Sequence, residues 1–445
     1  MAIKYLVESG FDFTVRDLVE NKWLSNIEGE EFASILGLYG NKRNTPINYV
    51  GLIETPDQIL FAFPKFDISS NKDNAKLIID LMRRVSAETD SSKKPADAHL
   101  FDQQRNEGSI SRVGIASFLL EDFYQNGLLT IRRSYYKRSQ NRNPDWTKTI
   151  HSVEAILTDC GPVYDTWLSR HAEQVSHKII TEVHRAVITR CSSLYGELLG
   201  YPDAVVLGSS TNSSVGATAL PVLKILLRRT FNARETLVIK ALIAWIEEGR
   251  RSGVRFFGTQ YFHTIWETIC AELFSDVKSS DEWASVMPYP EWVDWENNEQ
   301  FYSPRSFVLD ALTELPNNEG IALIDAKYYL IKLNDGKVQD GPGVNDISKQ
   351  LHYEELVFTS SNFIGRFGND RSLIINCFVF PSGNEDSEVV PTGEISIPRI
   401  TKNRVVCVNL SGNLAIRRYL KREPFSQAEL MSFSSSIKSI PSSFL

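Results

Sequence analysis

The segment Leu323-Ile324-Asp325-Ala326-Lys327-Tyr328-Tyr329-Leu330-Ile331 predicts one apolar β-strand that carries two opposite charges near its middle. Because side chains alternate along a strand, Asp325 and Lys327 are expected on the same face. Burying a carboxylate and an ammonium group in an apolar strand is costly unless something compensates for their lost hydration. This pair is therefore the first candidate for a functional site.

A second carboxylate lies a short distance upstream. Asp310 follows Ser306-Phe307-Val308-Leu309, which predicts another strand, and residues 314–320 have the composition of a hairpin loop. If the two strands pair antiparallel, Asp310 comes close to Asp325 and Lys327. Two carboxylates and a lysine at one point suit a Mg²⁺ ion beside a phosphate. Taken alone, a D-x-K tripeptide favours a simple ion pair at a strand end. The hairpin context and the motifs described below favour the functional site instead.

This arrangement resembles the PD-(D/E)xK nuclease superfamily, with Asp310 as the first acid and Asp325-Ala326-Lys327 as the second half of the motif. Leu309 stands where the superfamily pattern has proline. The resemblance implies an α/β nuclease core with a mixed central sheet. It also implies that Asp310 and Asp325 hold Mg²⁺, for which Mn²⁺ can substitute, with the backbone carbonyl of Ala326 as a further ligand and Lys327 as a catalytic residue.

Further motifs are similar to those of the LlaJI restriction endonuclease family, which is related to the McrC nuclease subunit of McrBC-type systems. They are Gly51-Leu52-Ile53, Phe63-Pro64-Lys65-Phe66, Asp145-Trp146-Thr147-Lys148-Thr149-Ile150 and the Asp-Ala-Lys strand. The resemblance implies a metal-dependent restriction endonuclease, or nuclease subunit, that hydrolyses foreign DNA in a bacterial defence system. One competing interpretation is a non-catalytic DNA-binding or assembly subunit of an NTP-driven restriction complex. Another is an RNA-cleaving enzyme.

The same resemblance implies two supporting residues. Glu267 belongs to a Trp-Glu pair on an amphipathic helix and would support the metal site. Gln350 and Tyr353 lie one turn apart on a helix that Asp346 is expected to cap, as in the Gln/Tyr helix of RecB-like members. Gln350 would orient the catalytic carboxylates or the DNA backbone. The structural alternatives are a solvated glutamate and a capped surface helix.

The most basic stretch of the chain covers residues 130–142, and tyrosines alternate with its cations. Arginine and lysine contact phosphates, and aromatic rings stack on bases, so this stretch is a candidate DNA-binding surface. A solvated hairpin is the alternative interpretation. The residues predicted to bind DNA are Arg132, Arg133, Tyr135, Tyr136, Lys137, Arg138, Arg142 and Lys148.

The composition excludes several other classes. The net charge of −7 argues against unspecific coating of nucleic acid, and no phosphate-binding G-x-x-x-x-G-K-[ST] loop occurs in the 445 residues. By family analogy, we expect a separate McrB-like AAA+ NTPase as partner, together with double-stranded DNA. The five cysteines have no metal-ligand spacing, and neither a signal-peptide pattern nor a membrane-spanning apolar run is present. These features predict a cytoplasmic protein.

Three regions are expected along the chain. Residues 1–160 would form a mixed α/β DNA-recognition domain, residues 161–250 a helical connector, and residues 251–445 the nuclease domain. The connector is predicted to contain a helical run over residues 172–198. Its histidines do not have metal-ligand spacing, which favours packing roles.

Overall fold

The structure, a computed structural model, describes residues 3–8, 14–35, 47–55, 58–66, 72–92, 112–130, 133–140, 143–173, 178–201, 215–249, 254–303, 306–334, 337–384, 389–397 and 403–440. The chain divides into two compact units. The first unit combines Met1–Arg105 with Gly253–Leu445, and the second unit is Asn106–Ser252.

The elements are numbered in chain order. The first unit begins with β1 (Ile3–Val7), α1 (Val15–Glu20), α2 (Asn26–Ile35), β2 (Val50–Glu54), β3 (Ile59–Phe63) and α3 (Lys72–Ser92). The second unit contains α4 (Arg112–Asn126), β4 (Arg133–Ser139), α5 (Trp146–Ser152), β5 (Ile156–Thr158), β6 (Gly161–Val163), β7 (Trp167–Glu173), α6 (Lys178–Tyr195), α7 (Val215–Arg228) and α8 (Ala233–Gly249). The first unit resumes with β8 (Arg255–Thr259), α9 (Phe262–Leu273), β9 (Glu291–Asp294), β10 (Glu299–Tyr302), β11 (Ala311–Glu314), β12 (Ile321–Ala326), β13 (Lys332–Asn334), β14 (Lys337–Gln339), α10 (Val344–Phe358), α11 (Ser361–Phe367), β15 (Ile374–Ser382), β16 (Val389–Ile395), β17 (Val405–Ser411), α12 (Gly412–Lys421) and α13 (Gln427–Lys438).

A four-stranded sheet explains why these units differ from the predicted domains. Its order is β1-β3-β2-β8, so a strand that follows the second unit in sequence pairs with strands that precede it. Phe66, just after β3, is fully buried and lies 6.2 Å from both Phe262 and Trp266 of α9, between ring centroids. Residues 1–105 therefore share a core with the C-terminal part of the chain. The predicted boundary at residue 250 lies close to the observed boundary between the units, but the structure has no boundary between units at residue 160.

The central sheet has five strands in the order β11-β12-β15-β17-β16. β12, β15 and β17 are parallel, whereas β11 and β16 are antiparallel edge strands, so the predicted mixed α/β fold is confirmed. Every residue of β12 is buried, as expected for an inner parallel strand that is covered on both faces. On one face, Tyr353 and Val357 of α10 pack in a cluster with Leu323.

The predicted hairpin is confirmed, but its strands begin and end elsewhere. The strand expected over residues 323–331 ends at Ala326, and residues 306–309 precede β11 instead of forming it. Val308 is 65% exposed, whereas Leu309 is buried, so this segment packs only in part although it lies outside the sheet. Gly320 makes the connection tight: its φ is +123°, and a Cβ there would lie 1.9 Å from the carbonyl oxygen of Leu373.

Two helical predictions need correction. Ala172 lies in β7, which pairs antiparallel with β4, and the helix expected from that position begins only at Lys178. The predicted boundary at residue 160 thus separates two strands of one sheet. The N-cap of α10 is Gly343 and not Asp346, whose carboxylate accepts the Gly343 N–H at 3.2 Å from inside the first turn.

Two general properties of the chain concern its cysteines and its helices. All five cysteines are free, and four of them are buried. Within the described ranges, no helix combines the length and apolar character needed to cross a membrane.

His184 is a packing residue in the core of the second unit. Its side chain is fully buried, and its Nδ1 accepts the backbone N–H of Leu129 at 3.0 Å. Burial lowers the pKa of His184 to about 4. In the unfolded chain this histidine binds a proton near pH 6.5, whereas in the folded chain it stays neutral until about pH 4. The free energy of unfolding therefore decreases as the pH falls from 6.5 towards 4.

We expect His184 to lower the free energy of unfolding by about 2 kcal/mol between neutral pH and pH 5. Denaturant unfolding of the wild type and of His184→Asn, followed from neutral pH to pH 5, measures it. Asparagine offers an acceptor for the Leu129 N–H but does not titrate, so the variant should lack this part of the pH dependence. Parallel curves for the two proteins would contradict the assignment.

Candidate active site

The register of the β11–β12 hairpin brings the two predicted carboxylates together. Ala311 pairs with Ile324, so Asp310 lies opposite Asp325 at the carboxyl end of β12. Asp310 Oδ2 accepts the backbone N–H of Ala326 at 2.8 Å. Asp325 is buried, whereas Asp310 is half-buried. The two carboxylates therefore lie at one site, as expected from the sequence, although β11 begins one residue after Asp310.

Lys327 stands directly beside this pair. Its Nζ lies 2.8 Å from Oδ2 of Asp325, as the alternation of side chains predicts, and 3.4 Å from Oδ1 of Asp346. Its backbone N–H donates to the carbonyl of Val379 at 2.9 Å, which continues the pairing of β12 with β15 by one residue. A fixed ammonium group thus faces two carboxylates at the strand end.

Burial and neighbouring charges together determine the electrostatics of this cluster. Burial, with the neighbouring charges of Asp325 and Glu267, raises the pKa of Asp310 to about 8. Burial also raises the pKa of Glu267, against the opposing charge of Lys327. Although burial opposes it, the hydrogen bond to Asp325 raises the pKa of Lys327. Glu267 on α9 therefore interacts electrostatically with the other charged groups of this cluster.

Gln350 occupies an internal position in the fold. It is fully buried, and its Nε2 donates to the carbonyls of Leu323 and Cys377 at 3.4 Å each. These carbonyls belong to β12 and β15, so the side chain bridges the two central strands. Its Oε1 is buried without a hydrogen-bond partner among the described residues. In this position Gln350 contacts the strand that carries Asp325 and does not reach solvent.

Several charged residues of the site were not predicted from the sequence. Lys278 Nζ donates to the backbone carbonyl of Asp310 and lies 3.2 Å from Oδ2 of Asp276. The charges of Lys278 and Lys349 both act on Glu267. Asp346 was considered only as a helix cap. Lys349 had a detectable pattern because it adjoins the Gln/Tyr motif, but nothing near Lys278 in the sequence connects it with Asp310.

The donor set fits a Mg²⁺ ion in its usual mode of binding. Proteins commonly hold Mg²⁺ through one or two carboxylates and leave its other positions to water and substrate phosphate. Asp310 and Asp325 supply two such carboxylates. Burial, together with the charges of Asp325 and Glu267, raises the pKa of Asp310, and a cation would favour its charged form. No cluster of three or more His, Cys, Asp or Glu side chains suited to a metal occurs among the residues that the structure describes.

Sequence comparison identifies the family. The family model described as LlaJI restriction endonuclease matches residues 49–413, a range that includes every residue of this cluster. The chain belongs to the LlaJI restriction endonuclease family. The resemblance to this family inferred from the N-terminal motifs and the Asp-Ala-Lys strand is thereby confirmed.

Two known proteins are similar to this LlaJI-family chain. The first is the Type II restriction enzyme BsuMI component YdjA of Bacillus subtilis (strain 168), which is 24% identical over 401 residues, covering 88% of this chain and 84% of the relative. The second is a chain from a refined half-complex of the tetradecameric assembly of Thermococcus gammatolerans McrB AAA+ hexamers with bound McrC. That match has a TM-score of 0.36 and 14% identity over 98% of this chain and 99% of the other.

The basic stretch of the LlaJI-family chain forms strand β4 in the second unit. Arg132 and Arg142 lie outside the described residues, as do the side chains of Arg133 and Tyr135. The other predicted DNA-binding residues, Tyr136, Lys137, Arg138 and Lys148, are exposed.

Tyr136 is the centre of a basic face on this strand. Lys148 Nζ lies 5.6 Å from its ring centroid, and Arg170 of β7 is its cross-strand partner. Because side chains alternate, Arg138 shares this face, whereas Lys137 points to the other. Arg170, which the sequence analysis did not single out, thus joins the candidate surface.

Proposed function

We propose that this chain is the nuclease component of a bacterial restriction system and hydrolyses phosphodiester bonds of foreign double-stranded DNA in a Mg²⁺-dependent reaction. The observation that carries the proposal is the juxtaposition of Asp310, Asp325 and Lys327 at the end of β12. Membership of a restriction endonuclease family supports it. The site would be of the PD-(D/E)xK type.

Asp310 and Asp325 would hold the metal, with the carbonyl of Ala326 as the further ligand implied by the superfamily. When bound, Mg²⁺ lowers the pKa of a coordinated water and neutralises phosphate charge. The hydrogen bond from the Ala326 N–H fixes one oxygen of Asp310 and orients the carboxylate. Lys278 holds the same residue through its backbone carbonyl.

Lys327 would interact with the attacking water or with the charge that develops on the phosphate. Although burial opposes it, the hydrogen bond to Asp325 raises the pKa of Lys327 and so favours the charged ammonium. Once beside the phosphate, such a cation would stabilise the negative charge of the transition state. Glu267 would act as a further charged group of the site, and Gln350 would keep β12 and β15 in register.

A plasmid-cleavage assay tests this function. Purified chain is mixed with supercoiled DNA in Mg²⁺, in Mn²⁺ and in EDTA, with and without a candidate NTPase partner and nucleotide, while DNA binding is measured in parallel. Cleavage that requires the divalent ion supports the proposal. Binding without cleavage under every condition would instead favour a non-catalytic DNA-binding subunit.

The exposed face of β4 would contact the DNA backbone. Arg138, Lys148 and Arg170 surround Tyr136, so phosphates could pair with the cations while the ring stacks on a base. This supports assigning DNA recognition to the second unit. Duplex DNA is the expected partner, as the family's activity implies.

Charge reversal on this face should weaken DNA binding. Arg138→Glu, Lys148→Glu and Arg170→Glu together should shift the dissociation constant by more than tenfold and reduce the salt dependence by about one per lost phosphate contact. Fluorescence anisotropy at several salt concentrations measures both quantities. Lys240→Glu, an exposed single charge reversal on α8, is the matched control for Lys148→Glu measured alone. Equal effects in the two proteins would contradict the assigned face.

The chain would act together with other subunits. Its Bacillus relative is described as a component of a restriction enzyme, and no phosphate-binding loop occurs in this sequence. We therefore propose a separate McrB-like AAA+ NTPase as partner.

A further inference from the structure

A buried polar cluster lies one residue beyond the catalytic lysine. The hydroxyl of Tyr328 donates to Oε2 of Glu8 at 2.6 Å and accepts the backbone N–H of Lys65 at 3.1 Å. The Lys65 ammonium lies 4.0 Å from the centroid of the Tyr328 ring. The three residues come from the end of β1, from just after β3 and from just after β12.

Burying these polar side chains costs more free energy than filling the same space with apolar side chains. Glu8 is 5% exposed and Tyr328 is 7% exposed. Burial raises the pKa of Glu8 and lowers that of Lys65, so both charged forms lose hydration. Apolar side chains of similar size would fill the space without this penalty. A buried polar network instead favours one defined arrangement of its side chains, because its hydrogen bonds are satisfied in only a few geometries.

The cluster holds the backbone on which Lys327 stands. On one side, the Lys327 N–H is bonded to Val379 of β15. On the other, the hydroxyl of Tyr328 is hydrogen-bonded to Glu8 and Lys65, which directly follow β1 and β3 of the four-stranded sheet. The Tyr328 ring also packs 5.1 Å from Phe262, between ring centroids, in the first turn of the helix that carries Glu267.

We propose that Glu8, Lys65 and Tyr328 form a positioning cluster through which the N-terminal sheet of the first unit sets the place of Lys327 in the active site. None of the three touches the reacting atoms in this role. Loss of the cluster would let the backbone at residue 327 shift, and displacements of about 1 Å in an active site can cost on the order of a hundredfold in rate.

Removing the Tyr328 hydroxyl tests this inference. Tyr328→Phe should lower the single-turnover cleavage rate of the full chain by roughly tenfold or more, with DNA affinity unchanged. Glu8→Ala should have the same effect, and the double variant should be no slower than either single variant. Glu8→Gln keeps an acceptor for the hydroxyl and should restore most of the rate.

Tyr419 provides a matched control in the same unit. Its hydroxyl donates to Oε2 of Glu88 at 2.8 Å, and the Arg84 guanidinium lies 3.7 Å from its ring centroid, so it is also a buried tyrosine with a glutamate and a cation. Tyr419→Phe removes an equivalent hydroxyl away from the catalytic strand and should leave the cleavage rate unchanged.

Three outcomes would overturn the inference: a wild-type rate in Tyr328→Phe, an equal loss in Tyr419→Phe, or equal losses in rate and affinity. If Tyr328→Phe does not fold, Glu8→Ala carries the same test because the tyrosine ring remains. The inference rests on the proposed nuclease function, and different results would contradict the function and the inference. Absence of cleavage by the wild type under every condition counts against the function, whereas wild-type cleavage with no loss in these variants counts against positioning alone.

Discussion

Alanine at Asp310, Asp325 or Lys327 is expected to lower DNA cleavage by roughly a hundredfold to a thousandfold or more. The two aspartates are the only carboxylates that the hairpin register places opposite each other at the end of β12 in the described structure. Loss of either would leave a single carboxylate for the proposed Mg²⁺ ion. Loss of Lys327 removes the ammonium group that lies 2.8 Å from Asp325.

Single-turnover cleavage of labelled DNA in Mg²⁺ measures this effect, with DNA binding and thermal unfolding as parallel readouts. Asp310→Asn is the sharpest variant, because asparagine retains an acceptor for the Ala326 N–H while it removes the charge. Lys332→Ala, which removes a 56%-exposed lysine nearby in the sequence, is the control for Lys327. Full activity in any aspartate variant would refute the site.

Cleavage by the wild-type chain is expected to depend on a second protein. We expect the purified chain alone to cut slowly, and an AAA+ NTPase partner with GTP or ATP to raise the rate on the order of tenfold to a hundredfold. A nuclease that is always active would damage its own genome, and this chain carries no phosphate-binding loop with which to regulate itself. The use of GTP is expected by analogy with McrBC-type systems.

The charges around Lys327 give this dependence a physical basis. In the chain described here, the ammonium group already has Asp325 and Asp346 as partners. To contact a phosphate, Lys327 must exchange at least part of these interactions, and α10, which carries Asp346, is an element whose movement would permit this.

The experiment combines the chain, a candidate NTPase, Mg²⁺ and target DNA, with GTP, with ATP and without nucleotide. Asp325→Asn in the same mixture controls for nucleases in the partner preparation. A full rate of specific cleavage by the chain alone, unchanged by partner and nucleotide, would identify a self-sufficient endonuclease and refute the dependence.

Local patterns in the sequence determined much of this site. The period of two along a strand places Asp325 and Lys327 on one face, and the 2.8 Å ion pair follows from it. The turn-forming residues 314–320 determine the antiparallel hairpin, and the resemblance of the Asp-Ala-Lys strand led to the family that the comparison identified. These features depend on residues close together in sequence, so they are readable without knowledge of the fold.

Only the tertiary structure decided which distant segments meet. The pairing of β8 with β2 joins residues 1–105 to the C-terminal part, and the pairing of β4 with β7 crosses the predicted boundary at residue 160. Lys278 reaches the backbone of Asp310, and Glu8 reaches Tyr328, across 32 and 320 residues of sequence. Such contacts are selected by the joint burial of apolar surface and satisfaction of polar groups in the whole fold, which no local periodicity encodes.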